Sequence, residues 1–93
     1  MIKFEDQKRE LLKNPEVKRE YDALKFEFDV RKALLDARNR CNLTQKQLSE
    51  ISGVTQADIS RIENGTRNPS LEVVSRLLYG LGVTLEIKPV YKD

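Results

Sequence analysis

The chain of 93 residues contains no histidine and one cysteine, Cys41. It also lacks any run of about 18 apolar residues, the length a bilayer-spanning helix needs. A lone cysteine closes no internal disulfide, and without histidine no Cys/His zinc site can be assembled. A reduced compartment is expected. The cytoplasm is the default, because Met1-Ile2-Lys3-Phe4 leads straight into a charged stretch with no apolar signal region. There is no Gly-rich phosphate loop and no acid–base pair in a recognisable setting, so neither an enzyme nor a cofactor is expected. A strong net charge is missing too: 17 basic and 15 acidic side chains leave only +2. That is weak support for a nucleic-acid partner. The excess is nevertheless local. Residues 1–28 carry seven of each sign, residues 29–69 carry seven basic and five acidic, and residues 70–93 carry three of each.

What is present is a succession of short amphipathic segments. Phe4 to Leu12 reads as a short helix with few apolar residues (Phe4, Leu11, Leu12), which therefore needs a partner surface. Asn14-Pro15 starts a second helix: Asn is a good N-cap, Pro is favoured at the first helical position, and Glu16 suits the first turn. Val17, Tyr21 and Leu24 share one face of it, and it is expected to end near Lys25. A third helix is expected from Asp29, with Val30, Ala33, Leu34, Ala37 and Cys41 on its inner face. Phe26 and Phe28 would then fasten the two helices together, and Cys41 would be semi-buried packing.

The informative stretch begins at Leu43. Thr44 with Gln47 has the spacing of a capping box, and the helix it opens stops at Gly53. Thr55 caps the next helix, which ends at Asn64-Gly65, where Gly suits the left-handed terminal position. Leu48, Ile51, Val54, Ile59 and Ile62 are expected inside. Ser49 is small enough to let the helices approach. Two short capped helices joined through a glycine turn make a helix-turn-helix, whose second helix enters the DNA major groove by its N-terminal end. On that helix Gln56 is suited to adenine and Arg61 to guanine. Ala57 admits a close approach or a thymine methyl, and Ser60 lies on the same exposed set. Gln45, Thr55, Thr66, Arg67 and Asn68 are candidates for phosphate contacts.

Ser70 is expected to cap a last helix with Leu71, Val74, Leu77, Leu78 and Leu81 as its buried stripe. Val83 to Val90 then alternates apolar and polar residues, which predicts one edge strand. A lone strand needs a partner, so Leu85 and Ile87 are expected to pair with a second copy or with another protein.

Residues 43–65, Leu-Thr-Gln-Lys-Gln-Leu-Ser-Glu-Ile-Ser-Gly-Val-Thr-Gln-Ala-Asp-Ile-Ser-Arg-Ile-Glu-Asn-Gly, resemble the Xre/Cro/C1-type helix-turn-helix family, as do Asn68-Pro69-Ser70-Leu71 and the helix after them. The resemblance covers about residues 30–82. It implies that Gln45 and Asn64 contact phosphates and that Gln56, Ala57 and Arg61 face base edges. Ser49 departs from the alanine the family often has. Residues 14–24, Asn-Pro-Glu-Val-Lys-Arg-Glu-Tyr-Asp-Ala-Leu, together with Phe28, residues 33–38 and the closing Gly-Val-Thr-Leu-Glu-Ile, are similar to single-domain antitoxins of the HigA type.

The expected fold is therefore all-α, with five to six helices in a lambda-repressor-like domain plus a short C-terminal β-strand. Residues 1–28 are an N-terminal helical extension, 29–82 the helix-turn-helix domain, and 83–93 a strand and tail. The resemblance implies an antitoxin of a type II pair. It would neutralise a RelE/HigB-like mRNA-cleaving toxin and repress its own operon as a homodimer on an inverted-repeat operator in double-stranded DNA. The alternative is a stand-alone Xre-family repressor. Phe4, Leu11, Leu12, Val17 and Tyr21 are the candidate toxin contacts. The acids Glu5, Asp6, Glu10, Glu16, Glu20 and Asp22 would complement a basic, RNA-binding toxin.

Overall fold

A computed structural model describes residues 4–91. It holds five helices: α1 (Phe4–Leu12), α2 (Pro15–Arg40), α3 (Gln45–Ser52), α4 (Gln56–Asn64) and α5 (Leu71–Leu81). The chain forms two compact units, residues 1–30 and 31–93, with α2 contributing to both.

In the first unit, the Asn14 side chain caps α2 by accepting from the Glu16 N–H at 2.9 Å. Leu12, Val17 and Tyr21 are half-buried, and the Lys8 ammonium sits 4.6 Å from the centre of the Tyr21 ring. Nothing in α1 is fully buried. A nine-residue helix has little stability of its own, so α1 depends on this partial packing.

The expected junction at residues 26–28 does not exist, because α2 is one helix of 26 residues. Nothing between Lys25 and Asp29 breaks a helix, and the two are joined four residues apart by an ion pair of 2.9 Å. Lys18–Asp22 and Lys32–Asp36 repeat that spacing along the same helix. Phe26 and Phe28 therefore lie within a single helix and not at a joint between two, 68% and 48% exposed.

The second unit holds the core: Leu34 from α2, Leu48 and Ser52 from α3, Val54 from the turn, Ile59 and Ile62 from α4, and Leu77 and Leu81 from α5. Helix α3 packs against both α4 and α5. Its inner face differs from the expected one. Ser52, four residues after Leu48, takes the buried place, and Ile51 is turned out. The reason lies on α5. A Cβ at Gly80 would stand 3.1 Å from Ser52 Cβ and 3.2 Å from Leu48 Cδ1, so two small residues, Ser52 and Gly80, set the α3–α5 approach. Ser49 is only half-buried. Leu71 does not join the α5 stripe. It follows the Ser70 cap directly, at the very start of the helix, and lies exposed. Cys41 is also exposed, one residue past the end of α2, with its thiol 3.6 Å from the Leu81 carbonyl oxygen.

The C-terminal strand is absent: residues 83–91 are irregular. Alternation of apolar and polar residues is a condition for a half-buried strand, but a strand also needs a neighbour to share its hydrogen bonds. No other strand exists among the described residues to supply one. Leu85 and Ile87 are accordingly exposed.

Candidate nucleic-acid interface

The helix-turn-helix is built from local signals. Thr44 Oγ1 accepts from the Gln47 N–H at 3.0 Å, while Gln47 Oε1 accepts from the Thr44 N–H at 2.9 Å, a reciprocal capping box. Gly53, at φ 77°, closes α3 by donating its N–H to the Ser49 carbonyl at 3.0 Å. A side chain disfavours that left-handed backbone, which glycine adopts freely. Thr55 then caps α4 by accepting from the Asp58 N–H at 3.1 Å. Ile59 and Ile62 anchor α4 from within and are both fully buried. Truncating either to alanine would cost about 2–5 kcal/mol.

Anchored on that side, α4 presents the other. Gln56, Ala57, Arg61 and Asn64 are exposed, and Ser60 is half-buried. Thr55, Thr66, Arg67 and Asn68 are exposed at the two ends of the helix. The structure thus brings the base-facing and phosphate-facing candidates together around α4 and the loop that follows it. Several are already engaged. Asn64 Oδ1 accepts from the Thr66 N–H at 3.0 Å and from the Thr66 hydroxyl at 2.7 Å, which folds the loop back at the end of α4. The N–H groups of Thr66 and Arg67 both donate to the Arg61 carbonyl.

A half-buried network ties the motif to α2. Arg38 Nε and Nη2 donate to the two oxygens of Glu63 at 2.7 and 2.9 Å, and Nη1 donates to the Leu43 carbonyl at 2.7 Å. Gln45 Nε2 donates to Glu63 Oε1 at 3.0 Å. Glu63 thereby holds α2 through Arg38, α3 through Gln45, and α4 through its own backbone. The Glu63 carboxylate raises the Arg38 pKa above its ordinary value, chiefly by hydrogen bonding. Gln45 is half-buried, with one amide hydrogen committed to Glu63.

Asp58 gathers a second cluster. Its Oδ1 accepts from Arg61 Nη1 at 3.3 Å and pairs with Arg67 Nη1 at 2.5 Å. The Arg67 hydrogen bond holds the Asp58 carboxyl below its usual range, with Thr55 and Arg61 acting in the same direction. Sequence reasoning missed both clusters. Arg38 and Glu63 stand 25 residues apart with no local pattern to link them.

In the first unit, Phe4, Leu11, Leu12, Val17 and Tyr21 line one apolar groove of about 260 Å³, together with Gln7 and Lys8. Of the surrounding acids, Glu10 pairs with Lys13 at 2.8 Å and Asp22 with Lys18 at 3.4 Å.

The family model described as Helix-turn-helix matches residues 34–88. The chain belongs to this helix-turn-helix family. It is 48% identical over 59 residues to an uncharacterized HTH-type transcriptional regulator of Haemophilus influenzae, a match covering 63% of this chain. It is 36% identical over 50 residues, 54% of this chain, to another of Mycobacterium tuberculosis. The matched regions span 60% of the first regulator's length and 36% of the second's. Among solved structures, a chain of a toxin–antitoxin module from Streptococcus pneumoniae is similar at a TM-score of 0.64 and 32% identity. That likeness covers 98% of this helix-turn-helix chain and 96% of the other. Among the described residues, no helix is long and apolar enough to cross a membrane.

Proposed function

We propose that this chain is the antitoxin of a type II toxin–antitoxin pair, a non-enzymatic protein that neutralises a RelE/HigB-like mRNA-cleaving toxin and represses its own operon. One observation carries this reading. The likeness to a chain of the pneumococcal module extends over 98% of the chain, whereas the likeness to the Haemophilus regulator covers 63%. The N-terminal unit is therefore part of the shared design, and its apolar groove is the surface suited to a toxin. Phe4 and Leu11 are exposed on its rim, 77% and 59%, and supply apolar area for a partner to cover.

The DNA-binding half follows from α4. Gln56, Ala57, Ser60 and Arg61 read base edges, while Gln45, Thr55, Asn64, Thr66, Arg67 and Asn68 hold phosphates. Gln45 keeps a second amide hydrogen for an oxygen of the backbone, and Asn64 keeps its amide nitrogen. One short helix reads too few base pairs for tight binding. Two copies on an inverted repeat, with their α4 helices about 34 Å apart on one face of the DNA, satisfy the geometry of such motifs.

The test is co-expression with the product of the adjacent gene, followed by co-purification, a growth assay, and gel shift on the upstream DNA. A stable complex, restored growth and a specific shift are expected. A specific shift with neither complex nor growth rescue would end the antitoxin reading. It would leave the stand-alone repressor, which the 48% identity to an HTH-type transcriptional regulator favours.

A further inference from the structure

We infer that Asp58 sets the DNA specificity of α4 by withholding Arg61 and Arg67 from any phosphate backbone that offers no better partner. The inference rests on the DNA-binding reading and adds to it a residue that acts by opposition. Asp58 is the third residue of α4, in the half of the helix that enters the groove. Both guanidinium groups converge on its Oδ1, Arg61 from one turn later and Arg67 from the folded-back loop. The loop is held in that position by the two N–H groups that donate to the Arg61 carbonyl and by the Asn64–Thr66 bonds. Burial supports the hub: the Asp58 side chain is 25% exposed, against 59% for Arg61 and 45% for Arg67.

On DNA of arbitrary sequence the arginines are offered phosphates only. To take them, each must leave a carboxylate, and the freed carboxylate then faces a polyanion. The exchange gains little. On the correct site a guanine offers Arg61 two acceptors, and a cytosine amino group offers Asp58 a donor. The acid therefore opposes every sequence and is compensated on one, which is discrimination by a repulsive element. Because Arg67 keeps the Asp58 carboxyl below its usual range, the group is ionised at neutral pH.

The experiment compares the full chain with Asp58→Asn and Asp58→Ala on its upstream operator duplex and on a scrambled duplex, over a salt series. The Thr55 cap accepts from the Asp58 backbone N–H, which both variants keep, so both are expected to melt near the parent. Either variant should bind the scrambled duplex about tenfold tighter or more, with the slope of log K against log salt steeper by about 0.9 per released arginine and about 1.8 for both. The preference for the operator should fall. The gain should vanish when Arg61→Ala and Arg67→Ala are also present. Unchanged scrambled binding and slope would overturn the inference. So would a gain that persists undiminished without the arginines, since removal of a negative charge alone would then explain it. Lost operator binding with scrambled binding unchanged would also overturn it, leaving Asp58 as a base contact only. A parent chain that binds neither duplex would remove the DNA-binding reading itself, a result distinct from a binding parent with unchanged variants.

Discussion

Arg38 and Glu63 meet through two hydrogen bonds of 2.7 and 2.9 Å, with their side chains 14% and 11% exposed. The pair closes a network in which Glu63 also accepts from Gln45 and Arg38 also donates to Leu43. Two half-buried charges of this kind support one another. Removing one leaves the other without its partner in a place that water reaches only in part, which costs about 1–3 kcal/mol. Arg38→Ala and Glu63→Ala are each expected to lower stability by that order in urea denaturation. The paired change Arg38→Met with Glu63→Leu is expected to recover most of the loss, because no orphaned charge remains. DNA binding should not recover to the same extent, because Gln45 loses the carboxylate that orients it.

The turn between α3 and α4 gives a cleaner measurement. A Cβ at Gly53 would meet nothing within 4 Å, yet its φ is 77°. Any cost of substitution there is conformational and not steric. Gly53→Ala is expected to destabilise by about 1–2 kcal/mol, the penalty of a left-handed L-residue. Gly53→Asn should cost less, since asparagine tolerates that region. Thermal melts of the two variants check the order. Equal melting temperatures for alanine and glycine would mean that the turn relaxes.

The contrast between Gly53 and Glu63 shows which parts of the molecule were legible in advance. Caps are local. Thr44 with Gln47, Thr55, Ser70, and the glycines at 53 and 65 announce the ends of α3, α4 and α5 within four residues, and the candidate DNA surface follows from those ends. The Ser52–Gly80 approach, the Arg38–Glu63 bridge and the Asp58–Arg67 pair join residues that only the tertiary fold brings together, and no spacing encodes them. The two misread elements, the helix break and the strand, have the same root. Phe26 and Phe28 beside Asp29 resemble a junction with a cap, but a helix continues wherever nothing stops it, and the Lys25–Asp29 pair spans the place. Val83–Val90 has the alternation of a strand, but the helical domain offers it no edge to pair with.

On α4, Gln56 and Arg61 are exposed and support no part of the core. Replacing either with alanine should leave the melting temperature almost unchanged. Each is nevertheless expected to cost about 1–3 kcal/mol of operator binding, with relaxed preference at one base pair. Fluorescence anisotropy on single-base variants of the operator reads both effects. If both variants bind as tightly as the parent, α4 is not the reading helix. Arg67→Ala provides the contrast. With Arg67 held by Asp58 on other sequences and released to a phosphate at the operator, its loss should weaken operator binding and flatten the salt slope there by about one, with little change on a scrambled duplex.

The groove of the first unit makes the last prediction. Phe4 and Leu11 line it while remaining mostly exposed, so neither contributes much to folding. If a toxin covers them, their loss is felt only in its presence. The double variant Phe4→Ser with Leu11→Ser is expected to melt with the parent and to shift the operator duplex normally. Its affinity for the toxin should fall tenfold or more, since each is placed as an apolar anchor worth more than about 1 kcal/mol. Calorimetry with the purified toxin measures that loss, and a growth assay shows its consequence. Leu12 and Tyr21 are half-buried and make a poorer test, because replacing them would also weaken the packing of α1. Undiminished neutralisation by the double variant would place the toxin contact elsewhere on the chain.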